Sequence, residues 1–108
     1  MSFDLDKCVV DENMSLREAL KKIDENHYGF VFSCNMDKDI TGLATDGDIR
    51  RGLINGISLD GAISSCSNPD FLRASVDSSR EQLIKQLDSH IRFIPVFDRN
   101  KKLIYMKN

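Results

Sequence analysis

The segment Gly42–Arg51, reading GLATDGDIRR, carries the side chains best suited to holding a ligand. It leaves an apolar, strand-like run and enters a helix-like one at Thr45, which sits where an N-cap belongs, with Asp48 three residues on. A helix start offers unpaired N–H groups and partial positive charge, which together seat a phosphate. A carboxylate one turn in, at Asp48, suits the paired hydroxyls of a ribose. Asp46 beside it could meet a phosphate through Mg²⁺. Arg50 and Arg51 add positive charge nearby. The same residues also admit a plain structural reading, because Thr-x-x-Asp caps helices generally, for about 1 kcal/mol.

Two further groups invite chemistry. The run Asp37-Lys-Asp39-Ile-Thr41-Gly42, with Asp48 at loop position twelve, partly mimics a calcium loop over 37–48. Position twelve normally carries a bidentate Glu, however, and the preceding Phe30–Cys34 reads as strand where a helix is required. His27 and His90 stand near the ends of two expected helices, where imidazole complements the helix dipole. The three cysteines, Cys8, Cys34 and Cys66, form no CxxC pair and no nucleophile signature. No metal centre, catalytic site or cofactor is expected, and a reducing, cytoplasmic setting is.

The elements that would position these groups repeat. At an offset of 63, Ser15–Thr45 overlies Ser78–Asn108 without gaps, and 8 of the 31 pairs are identical. They are Ser15/Ser78, Arg17/Arg80, Glu18/Glu81, Leu20/Leu83, Lys22/Lys85, His27/His90, Phe30/Phe93 and Lys38/Lys101. Ordinary composition would give roughly two. Each copy opens on a Ser-x-x-Glu capping box. In the first, Leu16, Ala19, Leu20 and Ile23 follow a helical stripe over Ser15–Glu25; Leu83, Ile84 and Leu87 mark the second. Two β-prone runs joined by a polar turn follow, Gly29–Cys34 and Ile40–Ala44, then Phe93–Phe97 and Leu103–Met106. The first copy continues into a helix, Asp46–Asn55, ended by Gly56. The pieces Cys8–Val10 and Phe71–Ala74 precede the copies, and Ile57–Asn68, rich in Ser and Gly, reads as the joint between them.

The expected fold is therefore α+β: two pseudo-symmetric helix–strand–strand units, 1–63 and 64–108, packed through their sheets as one module. The second unit lacks its final helix, since Asn108 falls opposite Thr45. Composition narrows the partners. The chain has 108 residues, 41% apolar and 30% charged, and 15 Lys+Arg against 17 Asp+Glu leave a net charge of −2. That excludes disorder and gives no basic face for nucleic acid or an anionic membrane. No apolar run approaches the ~20 residues of a membrane span.

The paired units, the Arg92-Phe-Ile-Pro-Val-Phe-Asp98 run and GLATDGDIRRGL closing the first unit resemble a tandem pair of cystathionine-β-synthase (CBS) domains. The likeness covers nearly the whole chain. The run TDGDIRR…GIS is also similar to CBS pairs fused ahead of sugar nucleotidyltransferase domains. The resemblance implies a regulatory module that binds AMP, ADP or ATP between its halves and biases an attached effector. It implies that Thr45 meets phosphate or ribose and Asp48 the ribose hydroxyls. The backbone near Cys8–Val10 and apolar residues such as Ile94 would flank the base, Pro95 would join the ligand-binding set, and Arg92 would reach a phosphate. It also implies a homodimer through an apolar helix face, with Ile49, Leu53, Leu83 and Leu87 as candidates. An effector would begin just after Asn108. The alternatives carried forward are a ligand-free dimerising module and the calcium loop.

Overall fold

Ser15 starts the first helix because its hydroxyl accepts the Glu18 N–H at 3.1 Å. The helix α1, Leu16–Asn26, then turns Leu16, Ala19, Ile23 and Asn26 inward. Glu18 lies 3.6 Å from Lys21 and does not close the reciprocal half of the expected capping box. His27 ends α1 with a left-handed backbone, φ 61°, and donates its N–H to the Ile23 carbonyl. The computed structural model describes residues 4–78 and 94–107. Its chain falls into two compact units, Asp4–Phe71 and Leu72–Asn108.

In the first unit β1 (Val9–Asp11) lies parallel to β2 (Phe30–Cys34), and β3 (Ile40–Thr45) returns antiparallel, giving the order β1-β2-β3. The helix α2, Asp46–Ile54, continues directly from β3. One face of the sheet contributes Val10, Val31 and Ala44 to a core closed by Leu16, Ala19, Ile23, Ile49 and Ile63. Elsewhere in this unit Phe32 meets Phe30 and Phe71 edge-on, at 5.5 and 5.6 Å between centroids.

The second unit has the same sheet, β4 (Ala74–Ser75), β5 (Ile94–Phe97) and β6 (Leu103–Lys107), in the order β4-β5-β6. The two hairpins match residue for residue at the offset of 63. Val31↔Ala44, Phe32↔Leu43, Ser33↔Gly42 and Cys34↔Ile40 correspond to Ile94↔Lys107, Pro95↔Met106, Val96↔Tyr105 and Phe97↔Leu103, with a bulge at the same step. Asn35 and Asp98 each accept two backbone N–H groups through one side-chain oxygen, and Lys38 and Lys101 take positive φ at the same turn position. Ahead of the hairpins the copies differ. Phe32 donates its N–H to the Cys8 carbonyl, whereas Pro95 in its place has no N–H to give. The parallel ladder accordingly has three pairs in the first unit and two in the second.

Two expectations need correction. Ile57–Asn68 is no mere joint: it is woven into the first unit. Gly61 and Leu59 carbonyls accept the Leu16 and Arg17 N–H groups, Ile63 is fully buried in the core, and Leu43 and Asn68 exchange both backbone bonds. Ile49 is likewise 0% exposed and packs inside the first unit, so it belongs to no outer helix face. The helix expected behind Ser78, with Leu83, Leu87 and His90, lies outside the described residues.

Candidate functional site

The junction of β3 and α2 is built by local rules. Thr45 ends the strand in an extended conformation and caps the helix: its hydroxyl accepts the Asp48 N–H at 3.0 Å. Asp48 answers by accepting the Thr45 N–H on Oδ2, also at 3.0 Å. The reciprocal box that remains half-formed at α1 is complete here. Asp46, first in the helix, donates its N–H to the Gly29 carbonyl and accepts from Arg50 at 2.9 Å. Arg51 reaches Asp48 Oδ1 at 2.7 Å. Among the described residues the Gly47 N–H has no acceptor, which leaves one open donor on the first turn.

Close packing explains the approach to this junction. A Cβ on Gly42 would stand 2.7 Å from Ser67 Cβ, so only glycine lets the Ser67–Asn68 segment lie against β3. Thr41 and Ser33, flanking it, share a hydroxyl–hydroxyl bond of 3.1 Å.

The electrostatics arise from the contacts. Partial burial alone pushes the Asp48 carboxyl up. The Thr45 backbone and hydroxyl bonds and the Arg51 guanidinium overcome that push and hold it below its ordinary value of 3.8. Asp48 is thus ionised at neutral pH, a ready acceptor for hydroxyl groups. The Cys8 thiol behaves oppositely. Burial, reinforced by the Asp4 charge, raises it to about 11 and leaves it protonated and inert as a nucleophile. Burial raises Cys34 as well.

The structure thus gathers Thr45, Asp46 and Asp48 at the start of α2, with Arg50 and Arg51 one turn further on and folded back onto Asp46 and Asp48. Val10 sits in the core of the same unit, its backbone paired with Ser33. Ile94 is buried in the second unit beside Ala74 and Val96, and Pro95 is buried one position on. Arg92 lies outside the described residues. An open cleft of about 390 Å³ lies on the α1 side of the junction, lined by Leu20, Ile23, Asp24, His27, Gly29 and Asp46. The calcium reading fails on topology. Residues 37–48 form a hairpin turn, a strand and a cap rather than a loop between helices, and no metal-holding cluster occurs among the described residues. The direct Arg51–Asp48 pair goes beyond the nearby charge expected from the sequence, although an i,i+3 spacing signals contact.

A family model, that of the CBS domain, matches residues 5–55, a span that holds both helices of the first unit and the whole junction. Residues 5–55 form a CBS domain. Arabinose 5-phosphate isomerase GutQ of Salmonella typhi is 30% identical over 93 residues, covering 82% of this chain and 28% of that protein. The chain therefore spans little more than a quarter of that relative's length. Among solved structures, a hypothetical conserved protein of Geobacillus kaustophilus superimposes with a TM-score of 0.82 at 17% identity, over 97% of this chain and 84% of the other. The CBS domain protein PAE2072 of Pyrobaculum aerophilum, complexed with AMP, gives 0.77 at 19% identity, over 94% and 79%. At these identities the likeness is one of fold, and it extends beyond the matched CBS domain to the second sheet. No helix among the described residues is long and apolar enough to cross a membrane.

Proposed function

We propose that this chain is a ligand-sensing regulatory module, a CBS pair that takes an adenine nucleotide at the Thr45–Asp48 junction and has no chemistry of its own. The observation that carries the reading is the junction itself. A hydroxyl, an ionised carboxylate and an open backbone N–H share the first turn of α2, the groups a ribose and a phosphate need. A carboxylate offers about four acceptor positions, so Asp48 retains capacity beyond its two protein partners. The AMP complex of a relative with this fold supports the choice of nucleotide. The regulated partner we propose is an attached enzyme of sugar phosphates or sugar nucleotides. That class takes in both the nucleotidyltransferases suggested by TDGDIRR…GIS and the isomerase GutQ. Regulation arises if the nucleotide favours one conformation that the attached enzyme reads.

Thermal unfolding with and without AMP, ADP and ATP tests this. A ligand at 100 times its dissociation constant should add about 2.7 kcal/mol of stability. The shift should vanish in Asp48→Ala. An unchanged melting curve at millimolar concentrations of all three would favour the ligand-free dimerising module instead.

A further inference from the structure

The two oxygens of Asp48 are held differently. Oδ2 accepts the Thr45 N–H and belongs to the cap. Oδ1 is held at 2.7 Å by Arg51, whose side chain is 68% exposed. Arg51 reaches it by folding back along α2, toward the helix start. Its Nη1 lies 3.3 Å from where a Cβ on Gly47 would stand, so the glycine leaves room for the guanidinium over the first turn. Oδ1 is therefore the oxygen that a ligand can claim without dismantling the cap. Arg50, one residue earlier, pairs with Asp46 at 2.9 Å and leaves Asp48 alone.

We propose that Arg51 is a latch on the ligand site: in the empty protein it occupies Asp48 Oδ1, and a ribose diol takes that oxygen only by displacing it. The inference rests on the reading of Thr45–Asp48 as the ribose site. It adds a selectivity that the fold alone does not supply. An uncharged nucleoside displaces the guanidinium and offers it nothing. A nucleotide brings an anionic phosphate to a turn where a freed guanidinium and the open Gly47 N–H both favour negative charge. The latch thus penalises nucleosides more than nucleotides.

Calorimetric titration of adenosine and of AMP into the wild type, Arg51→Met and Arg50→Met tests the latch. Methionine keeps an unbranched stem and a good helix propensity, so α2 is preserved. An exposed ion pair of this kind supports a change of roughly two- to five-fold. Arg51→Met should bind adenosine tighter by that factor, with a smaller gain or a loss for AMP, so that the preference for AMP falls. Arg50→Met should leave adenosine affinity unchanged. Binding by Arg51→Met where the wild type is silent would also support the latch. If the wild type binds AMP but Arg51→Met binds adenosine no tighter, or Arg50→Met gains equally, the latch is wrong and the nucleotide site stands. If neither wild type nor Arg51→Met binds either ligand, both ideas fall.

Discussion

The two hairpins of this chain share one backbone plan and carry different surfaces. Register, bulge, turn bonds and a left-handed lysine coincide pair by pair. The side chains along the returning strand do not. Where β3 has Thr41 and Gly42, β6 has Ile104 and Tyr105, and where β2 has Ser33, β5 has Val96. In the first unit the small, polar set admits Ser67–Asn68 and leads into a capped helix. In the second, Tyr105 stands 45% exposed. Hydrogen-bond grammar is thus set by the turn and bulge and survives divergence. Whether a strand can be approached closely depends on a single Cβ.

Exchanging the residue that separates the copies should have the largest effect. Gly42→Ala forces a Cβ to 2.7 Å from Ser67 Cβ and should destabilise the protein by about 1–3 kcal/mol. Tyr105→Ala, at the equivalent place in the exposed β6, should cost less than about 1 kcal/mol. Urea unfolding of both variants measures the asymmetry, and equal costs would break it.

The cap comes next. Thr45→Ala should lose about 1 kcal/mol. The acid side of the same device is directional. The Asp48 carboxyl is held below 3.8 in the folded chain, so its contribution is present above that pH and is lost as pH falls through the lowered value. Thr45→Ala, lacking the hydroxyl half of the box, should show a shallower loss of stability in acid. A pH series of melting temperatures on both proteins decides it, and parallel profiles would contradict the assignment.

The smallest effect should be the same in both copies. Lys38 and Lys101 sit at φ 67° and 62°, a region that costs a residue with a Cβ about 1–2 kcal/mol. Glycine avoids that cost and loses part of the gain to its greater unfolded freedom. Lys38→Gly and Lys101→Gly should each stabilise by about 0.5 kcal/mol, seen as small, like-signed shifts in denaturant midpoint. Opposite signs would mean that the two turns are not equivalent.

Much of this was legible in the sequence. The offset of 63 exposed the hairpins, because a bulged two-strand unit needs its turn acceptor and its left-handed residue at fixed places. The cap was legible because Thr-x-x-Asp is a local signal. Other features depend on tertiary neighbours. Ile57–Asn68 looks like a connector by its Ser and Gly content, and its backbone bonds to the first unit and the burial of Ile63 come only with the fold. The family resemblance put Ile49 on an apolar dimer face, whereas the first unit's own core covers it. The shortened β4 ladder comes from Pro95, whose missing N–H was readable, although its effect on pairing was not.

The central claim is the proposal that the nucleotide-binding chemistry resides in the first unit's strand–helix junction and depends on the Asp48 carboxylate. Calorimetric titration of AMP into the wild type and Asp48→Ala tests it most directly. Binding by the wild type that Asp48→Ala abolishes is the predicted result; binding that survives the substitution unchanged would contradict it.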